Sequence, residues 1–229
     1  MLEGISITRV AFARTVRLVS SARLRDSVLK SLAADEDLDA LAEIEGATSM
    51  RLRAQDNGIE GVSFRELVFG VPHAHFVNAA FVYSKPLELN RFNGPNRGAW
   101  YAALAVETCL REVEFHITEF LARAGIFKTT IDYAEMFASL AGEYVDLREN
   151  QDHPSLLPDP AVGYPAGNVL ADAVRAKGLN GIIYPSVRHE GGTCIVALWP
   201  QAVQSVAPGD LWRMTWSGKP KPKIEKVTA

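Results

Sequence analysis

Four residues have types and spacings that could do chemistry: Arg91, Tyr101, Glu112 and Ser186. Arg91 opens the run RFNGPNRGAWY (91–101), where two Asn, two Gly, a Pro and a second Arg lead into Trp100 and Tyr101. A guanidinium can hold an anion bidentately. Turn glycines such as Gly94 and Gly98 let backbone N–H groups come close to an anion. A tyrosine adds a flat ring face and a hydroxyl. Turn residues of this kind normally mark an exposed loop, and an exposed loop has no need of a Trp-Tyr pair. A loop that gathers both suggests a ligand.

Glu112 lies on the clearest helix in the chain. Across 103–124, Val106, Leu110, Val113, Ile117, Phe120 and Leu121 recur at i, i+3 and i+4 and form one apolar stripe. With Val106 as zero, Glu114, Glu107, Thr118 and Arg111 fall between about 80° and 140° on the wheel, the solvent arc. Glu112 falls near about 240°, flanked by Phe115, Thr108, Ala105 and His116. A carboxylate among apolar neighbours is costly unless something pairs with it. It is either turned toward a ligand or is a helix-edge ion pair or exposed flank. Ser186 follows the apolar segment GIIYP at its carboxyl end, where ligand groups often sit. A plain turn role fits it equally.

The elements that must position these residues are mixed. A strand is expected near Val16–Val19; residues 25–46 are rich in Ala, Leu, Glu and Asp, with a helix start at Asp35, Asp37 close behind, and a stop at Gly46. Residues 73–84 show no clear period. Gly125 ends the long helix. A strand IFKTTID, a short helix and a strand EYVDL are expected across 126–146, then a Pro-rich loop over 147–166. A helix over 168–177 is capped by Asn168 or Gly167 and closed by Gly178. Two apolar strands, NGIIYPSV and TCIVALWP, flank the turn RHEGG. No repeat, P-loop, nucleophile elbow or G-x-G-x-x-G after a strand is present.

Composition narrows the function classes. The 229 residues suit one large domain, or one with an extension. A net charge of −3 gives no support to direct nucleic-acid binding. The two cysteines, Cys109 and Cys194, read as buried thiols of a reducing cytoplasm. The first residues do not form a signal peptide. No run reaches the roughly 18 apolar residues of a membrane span, so no membrane association is expected.

The segment RFNGPNRGAWYAALAVETCLREVEFH (91–116) resembles the core motif of RES-domain proteins, in which a helical Glu follows a Tyr by eleven residues. YPSVR (184–188) and the glycine pair 191–192 resemble the family's distal motif. TVRLVSSARLRD (15–26) and DEDLDALAEIEGATSMRLR (35–53) are similar to the front half of longer members. Phe92 stands where shorter members often carry Trp. The resemblance spans about residues 15–200.

It implies a fold similar to that of ADP-ribosyltransferases: a single α/β (α+β) domain with a mixed or split central sheet. Residues 1–90 would pack on a RES-domain core at 91–217, with 218–229 as a disordered tail. It implies Arg91, Tyr101, Glu112 and Ser186 as catalytic residues, and Arg17, Arg91, Gly98, Tyr101 and Arg188 as contacts to NAD. NAD is then the substrate, and neither a further cofactor nor a metal is called for. On that footing Arg91 suits the diphosphate, and Tyr101 offers its ring to the nicotinamide and its OH to ribose. Glu112 suits developing oxocarbenium charge, and Ser186 the nicotinamide ribose or amide. The implied protein is a cytoplasmic toxin that consumes NAD by glycohydrolysis or phosphorolysis and arrests growth. A mono-ADP-ribosyltransferase and a non-catalytic binding module are the alternatives. The implied partner is an Xre-type helix-turn-helix antitoxin, and self-association is also expected.

Overall fold

The computed structural model describes residues 2–21, 61–82 and 89–228. The helix expected within 25–46 and the resembling segment 35–53 lie outside the described residues.

Among the described residues, seven strands form one mixed sheet. They are β1 (Ser6–Ser20), β2 (Trp100–Ala103), β3 (Lys128–Asp146), β4 (Gly181–Pro185), β5 (Thr193–Ala197), β6 (Val203–Ser217) and β7 (Lys223–Val227). The order is β1-β2-β5-β4-β3-β6-β7, and β1 also pairs with β3. The circuit β1-β2-β5-β4-β3 therefore closes on itself. Only β3 and β4 run parallel; every other pairing is antiparallel.

β3 is the spine. Residues 133–140 carry β1 on one edge and β6 on the other, and β4 takes over at Tyr144–Asp146. This corrects the strand–helix–strand expected over 126–146. YAEMFASLAG has an ambiguous period, and pairing on both edges settles it: Tyr133, Ala134, Glu135 and Met136 are all buried. A strand enclosed in this way loses the in-out alternation that would betray it.

Alternation does hold in β2, β4 and β5. Trp100, Ala102, Ile183 and Ile195 point into one core with α1 (Ala74–Val82), whose Val77, Phe81 and Val82 are buried. Ala103, Ile182, Tyr184, Cys194 and Val196 point into a second core, which α3 (Pro160–Ala176) covers with Leu170, Ala171 and Val174. α2 (Val106–Ala124) sends Cys109 into the second core. Its Leu110 and Leu121 pack on Tyr133, Met214 and Trp216 in a third. Each Leu side chain so buried contributes roughly 1.5–3 kcal/mol.

α2 matches the expected helix, and Gly125 closes it in the left-handed conformation (φ 68°). Phe120 departs from the expected stripe and is 58% exposed. Residues 73–84, which show no period, contain α1. α3 begins at Pro160, capped by the Asp159 side chain on the Ala161 N–H, not at Asn168. Proline at a helix start has no N–H to lose, so the expected loop 147–166 hides the first two turns, and Pro165 is tolerated inside them. The tail is ordered where a disordered one was expected: Lys223–Val227 pair with β6, and Ile224 packs on the third core.

Candidate active-site cleft

A cleft of about 230 Å³ opens on the second-core side of the sheet. Its lining includes Arg17 from β1, Arg91 from the loop before β2, Tyr101 from β2, Glu112 from α2 and Tyr164 from α3. Five elements thus meet at one place, three of them drawn from residues 91–112 and the others from far along the chain.

The loop 91–99 is shaped by its own contacts. The Tyr101 hydroxyl donates to Asn93 Oδ1 and accepts from the Phe92 N–H, each at 2.9 Å. Burial raises its pKa well above the ordinary phenol. Both hydrogen-bonding sides of that hydroxyl are therefore occupied, and only the ring is left to face a ligand. The expected ribose contact through its OH is not available in this arrangement. Gly98 also departs from expectation. Its N–H donates to Phe81 O at 2.7 Å, and a Cβ there would lie 2.1 Å from Ala80 O. It is glycine so that α1 can pack closely, and its N–H is not free for a phosphate. Arg97 likewise serves the fold, through an ion pair with Glu66 at 2.5 Å and bonds to Gly61 O and Leu198 O.

Arg91 is 8% exposed. Its Nη1 donates to the carbonyls of Ser155 and, at 3.2 Å, Leu157. Its guanidinium carbon lies 5.3 Å from the Tyr164 ring centroid. Nε and Nη2 have no hydrogen-bond partner among the described residues. The turn thus fixes one side of the guanidinium and leaves the other side for the cleft. α3 presses on this residue through two glycines one turn apart. A Cβ at Gly167 would sit 1.9 Å from Arg91 O, and one at Gly163 would sit 3.1 Å from Arg91 Nη1. Asn168 ties the same helix to the loop, donating to Asn90 O and Tyr164 O at 2.8 Å each.

Glu112 meets Ser186 directly. The Ser186 hydroxyl donates to Glu112 Oε1 at 2.6 Å and accepts from the N–H groups of Arg188 and His189 at 3.2 and 3.0 Å. Of the two readings the wheel left open for Glu112, no ion pair is made among the described residues, and the carboxylate lines the cleft. Ser186 is both a turn residue and a partner of the site. Its proton goes to Glu112, so its direct role toward a ligand gives way to orienting the carboxylate. Arg188 stacks on Phe115, with its guanidinium carbon 3.4 Å from the ring centroid, and donates to Pro158 O at 2.6 Å. Burial, and the like charge of Arg91, depress its pKa. Arg17 Nη1 donates to Tyr101 O at 3.2 Å, and its guanidinium carbon lies 4.9 Å from the Trp100 ring centroid.

Both thiols are buried, as expected, and both border the cleft. Burial pushes Cys109 up to about 12, and its S–H donates to Val16 O at 3.0 Å. Neither thiol is a nucleophile at neutral pH. Tyr164, Asn90 and His116 line the cleft without having been singled out from sequence. The spacing of Gly163 and Gly167 was the available signal for Tyr164, since small residues one turn apart let a helix approach a neighbour closely.

A mixed α/β domain thus gathers two guanidinium groups, an aromatic face and a serine-held carboxylate around one cleft, an arrangement whose charge suits an anionic ligand. The model of the RES domain matches residues 67–217, and the chain belongs to the RES-domain family. No curated protein matches the chain. One chain of the crystal structure of the M. tuberculosis MbcT–MbcA toxin–antitoxin complex aligns over 89% of this chain and 86% of its own length, at 13% identity and a TM-score of 0.45. A likeness that distant says nothing of function. Among the described residues, no helix is long and apolar enough to cross a membrane.

Proposed function

We propose that the protein is a RES-type toxin enzyme that consumes NAD by breaking the bond between nicotinamide and ribose. The observation that carries this reading is the Glu112 carboxylate, held by Ser186 in a cleft that also contains Arg17, Arg91 and the Tyr101 ring. Breaking that bond sends its electron pair to the ring nitrogen, so nicotinamide leaves neutral and needs no general acid. C1′ of the ribose becomes oxocarbenium-like, and an ionised Glu112 stabilises that charge. Water or phosphate then adds to C1′ and loses a proton. The unpartnered side of Arg91, with Arg17, suits the diphosphate, and the Tyr101 ring suits the cationic nicotinamide. Ser186 acts through Glu112, and Arg188 is stacked on Phe115 beside it. Transfer of ADP-ribose to a protein side chain would use the same cleft.

The family membership supports a paired antitoxin, and we assign that role to an Xre-type helix-turn-helix protein acting in the cytoplasm. The test is incubation of the purified protein with NAD and identification of the products by mass. Free ADP-ribose or ADP-ribose phosphate supports the reading. A mass shift on a protein selects the transferase. Unchanged NAD, with a folded protein, refutes it.

A further inference from the structure

The turn that carries Ser186 is fastened to α2 by a second polar contact, one helical turn before Glu112. Thr108 Oγ1 and His189 Nδ1 are 2.9 Å apart. Thr108 is 1% exposed, in the buried first turn of α2. A buried hydroxyl is costly without a partner, and His189 is the partner it has. His189 in turn belongs to the hydrogen-bonded frame of the turn. Its N–H donates to Ser186 Oγ at 3.0 Å, and its carbonyl accepts from the Gly192 N–H at 3.0 Å. The Ser186 N–H closes the frame on Gly192 O at 2.8 Å. There is no room for a side chain where turn and helix meet: a Cβ on Gly192 would lie 2.7 Å from Thr108 Oγ1 and 3.0 Å from His189 Nδ1.

We infer that Thr108 and His189 are positioning residues. Their bond holds the 186–192 turn on α2 in the one placement that aims the Ser186 hydroxyl at Glu112. Residues four apart on a helix share a face, so Thr108 and Glu112 give the turn two anchors along one line. With the inner anchor lost, the turn can pivot about the Ser186–Glu112 bond. The stack of Arg188 on Phe115 keeps it near the helix, so it loosens without leaving. Neither residue touches the reacting atoms, and both act through Ser186. The threonine hydroxyl can donate or accept, so the bond forms with either tautomer of the imidazole.

This inference rests on the proposed NAD chemistry for its kinetic part only. The variants are His189→Ala, Thr108→Val, their combination, and His189→Asn, whose amide can replace Nδ1. On NAD, His189→Ala and Thr108→Val should each lower kcat about 10- to 100-fold, the scale of a misplaced catalytic group. KM should change little, since Arg91 and the Tyr101 ring are untouched. The double variant should be no worse than either single one, and His189→Asn should recover most of the rate. Independently of turnover, amide exchange at Arg188 and His189 should speed up in both single variants and slow again in His189→Asn. Gly192→Ala should mimic the loss by wedging the partners apart. Wild-type kcat in the single variants, additive losses in the double variant, or unchanged exchange at both amides would each overturn the inference. If the wild-type protein leaves NAD intact, the functional reading fails, and the exchange pattern alone decides whether the turn is held in this way.

Discussion

Gly167→Ala is the sharpest test of how α3 seats the cleft. The added methyl would sit 1.9 Å from Arg91 O and 3.2 Å from Phe92 Cδ1. The clashing carbonyl is backbone, so no side-chain rotation relieves it; helix or loop must move. Overpacking of this kind costs about 3 kcal/mol, the upper end of its usual range. Alanine returns about 1 kcal/mol as the better helix former. The net loss of about 2 kcal/mol lowers Tm by roughly 4–8 °C in a domain of this size. Displacement of the loop should also draw Arg91 away from Ser155 O and Leu157 O, so NAD turnover should fall more than stability does. Thermal melts and NAD assays on one preparation provide both readings. Gly178→Ala is the control, because nothing lies within 4 Å of its Cβ position although its φ is +69°. It should keep wild-type turnover. A Gly167→Ala protein that melts within about 1 °C of wild type, or turns over NAD normally, would refute the packing argument.

Other outcomes follow from contacts already described. Glu112→Gln should reduce NAD turnover by about 10²–10³-fold, the scale for losing a preorganised charge, with Tm within about 2 °C of wild type by thermal melt. Tyr101→Phe leaves Asn93 Oδ1 and the Phe92 N–H without their partner, so it should cost about 1–3 kcal/mol in denaturant unfolding while turnover falls only mildly. Arg97→Ala removes the partner of Glu66 and should lower Tm by about 4–8 °C, equivalent to about 2 kcal/mol. His153 bonds to Ser155 Oγ at 2.8 Å beside the turn that holds Arg91, and burial lowers its pKa below the ordinary 6.5. A histidine kept neutral in the fold withdraws stability as pH falls through 6.5 toward its folded pKa. Tm should therefore drop between about pH 7 and 5, and His153→Asn should reduce that drop; equal slopes would show that other groups are responsible.

The residues that gather at the cleft were legible because their signal is local: a loop of fixed spacing feeding a helix, with a carboxylate on the non-solvent side of the wheel. The hairpin of β4 and β5 was legible because apolar runs flank a Gly-rich turn. β3 was not, because pairing on both edges and burial of both faces erase its alternation. The start of α3 was hidden by prolines that read as a loop yet suit a helix N-terminus. The commitments of Gly98 and of the Tyr101 hydroxyl were beyond reach for another reason. Each depends on a contact that only the folded chain makes, with Phe81 in one case and with Asn93 across the loop in the other. Spacing reports which residues gather, but not which of their atoms are already taken.

Closure of the circuit through β1 and β3 also sets when the cleft can exist. Ser6 pairs with Asp146, and the Glu112 carboxylate waits for Ser186. As the chain leaves the ribosome, Arg17 is out 169 residues ahead of Ser186, about 8–34 s earlier at 5–20 residues per second. β1 gains its long partner only when Lys128–Asp146 are out, and the Glu112 carboxylate has no Ser186 hydroxyl until the end of that interval. The site is completed late, so a nascent chain that stalls before Ser186 lacks the contact that holds Glu112. For the toxin proposed above, that order would separate synthesis from harm by the length of the chain itself.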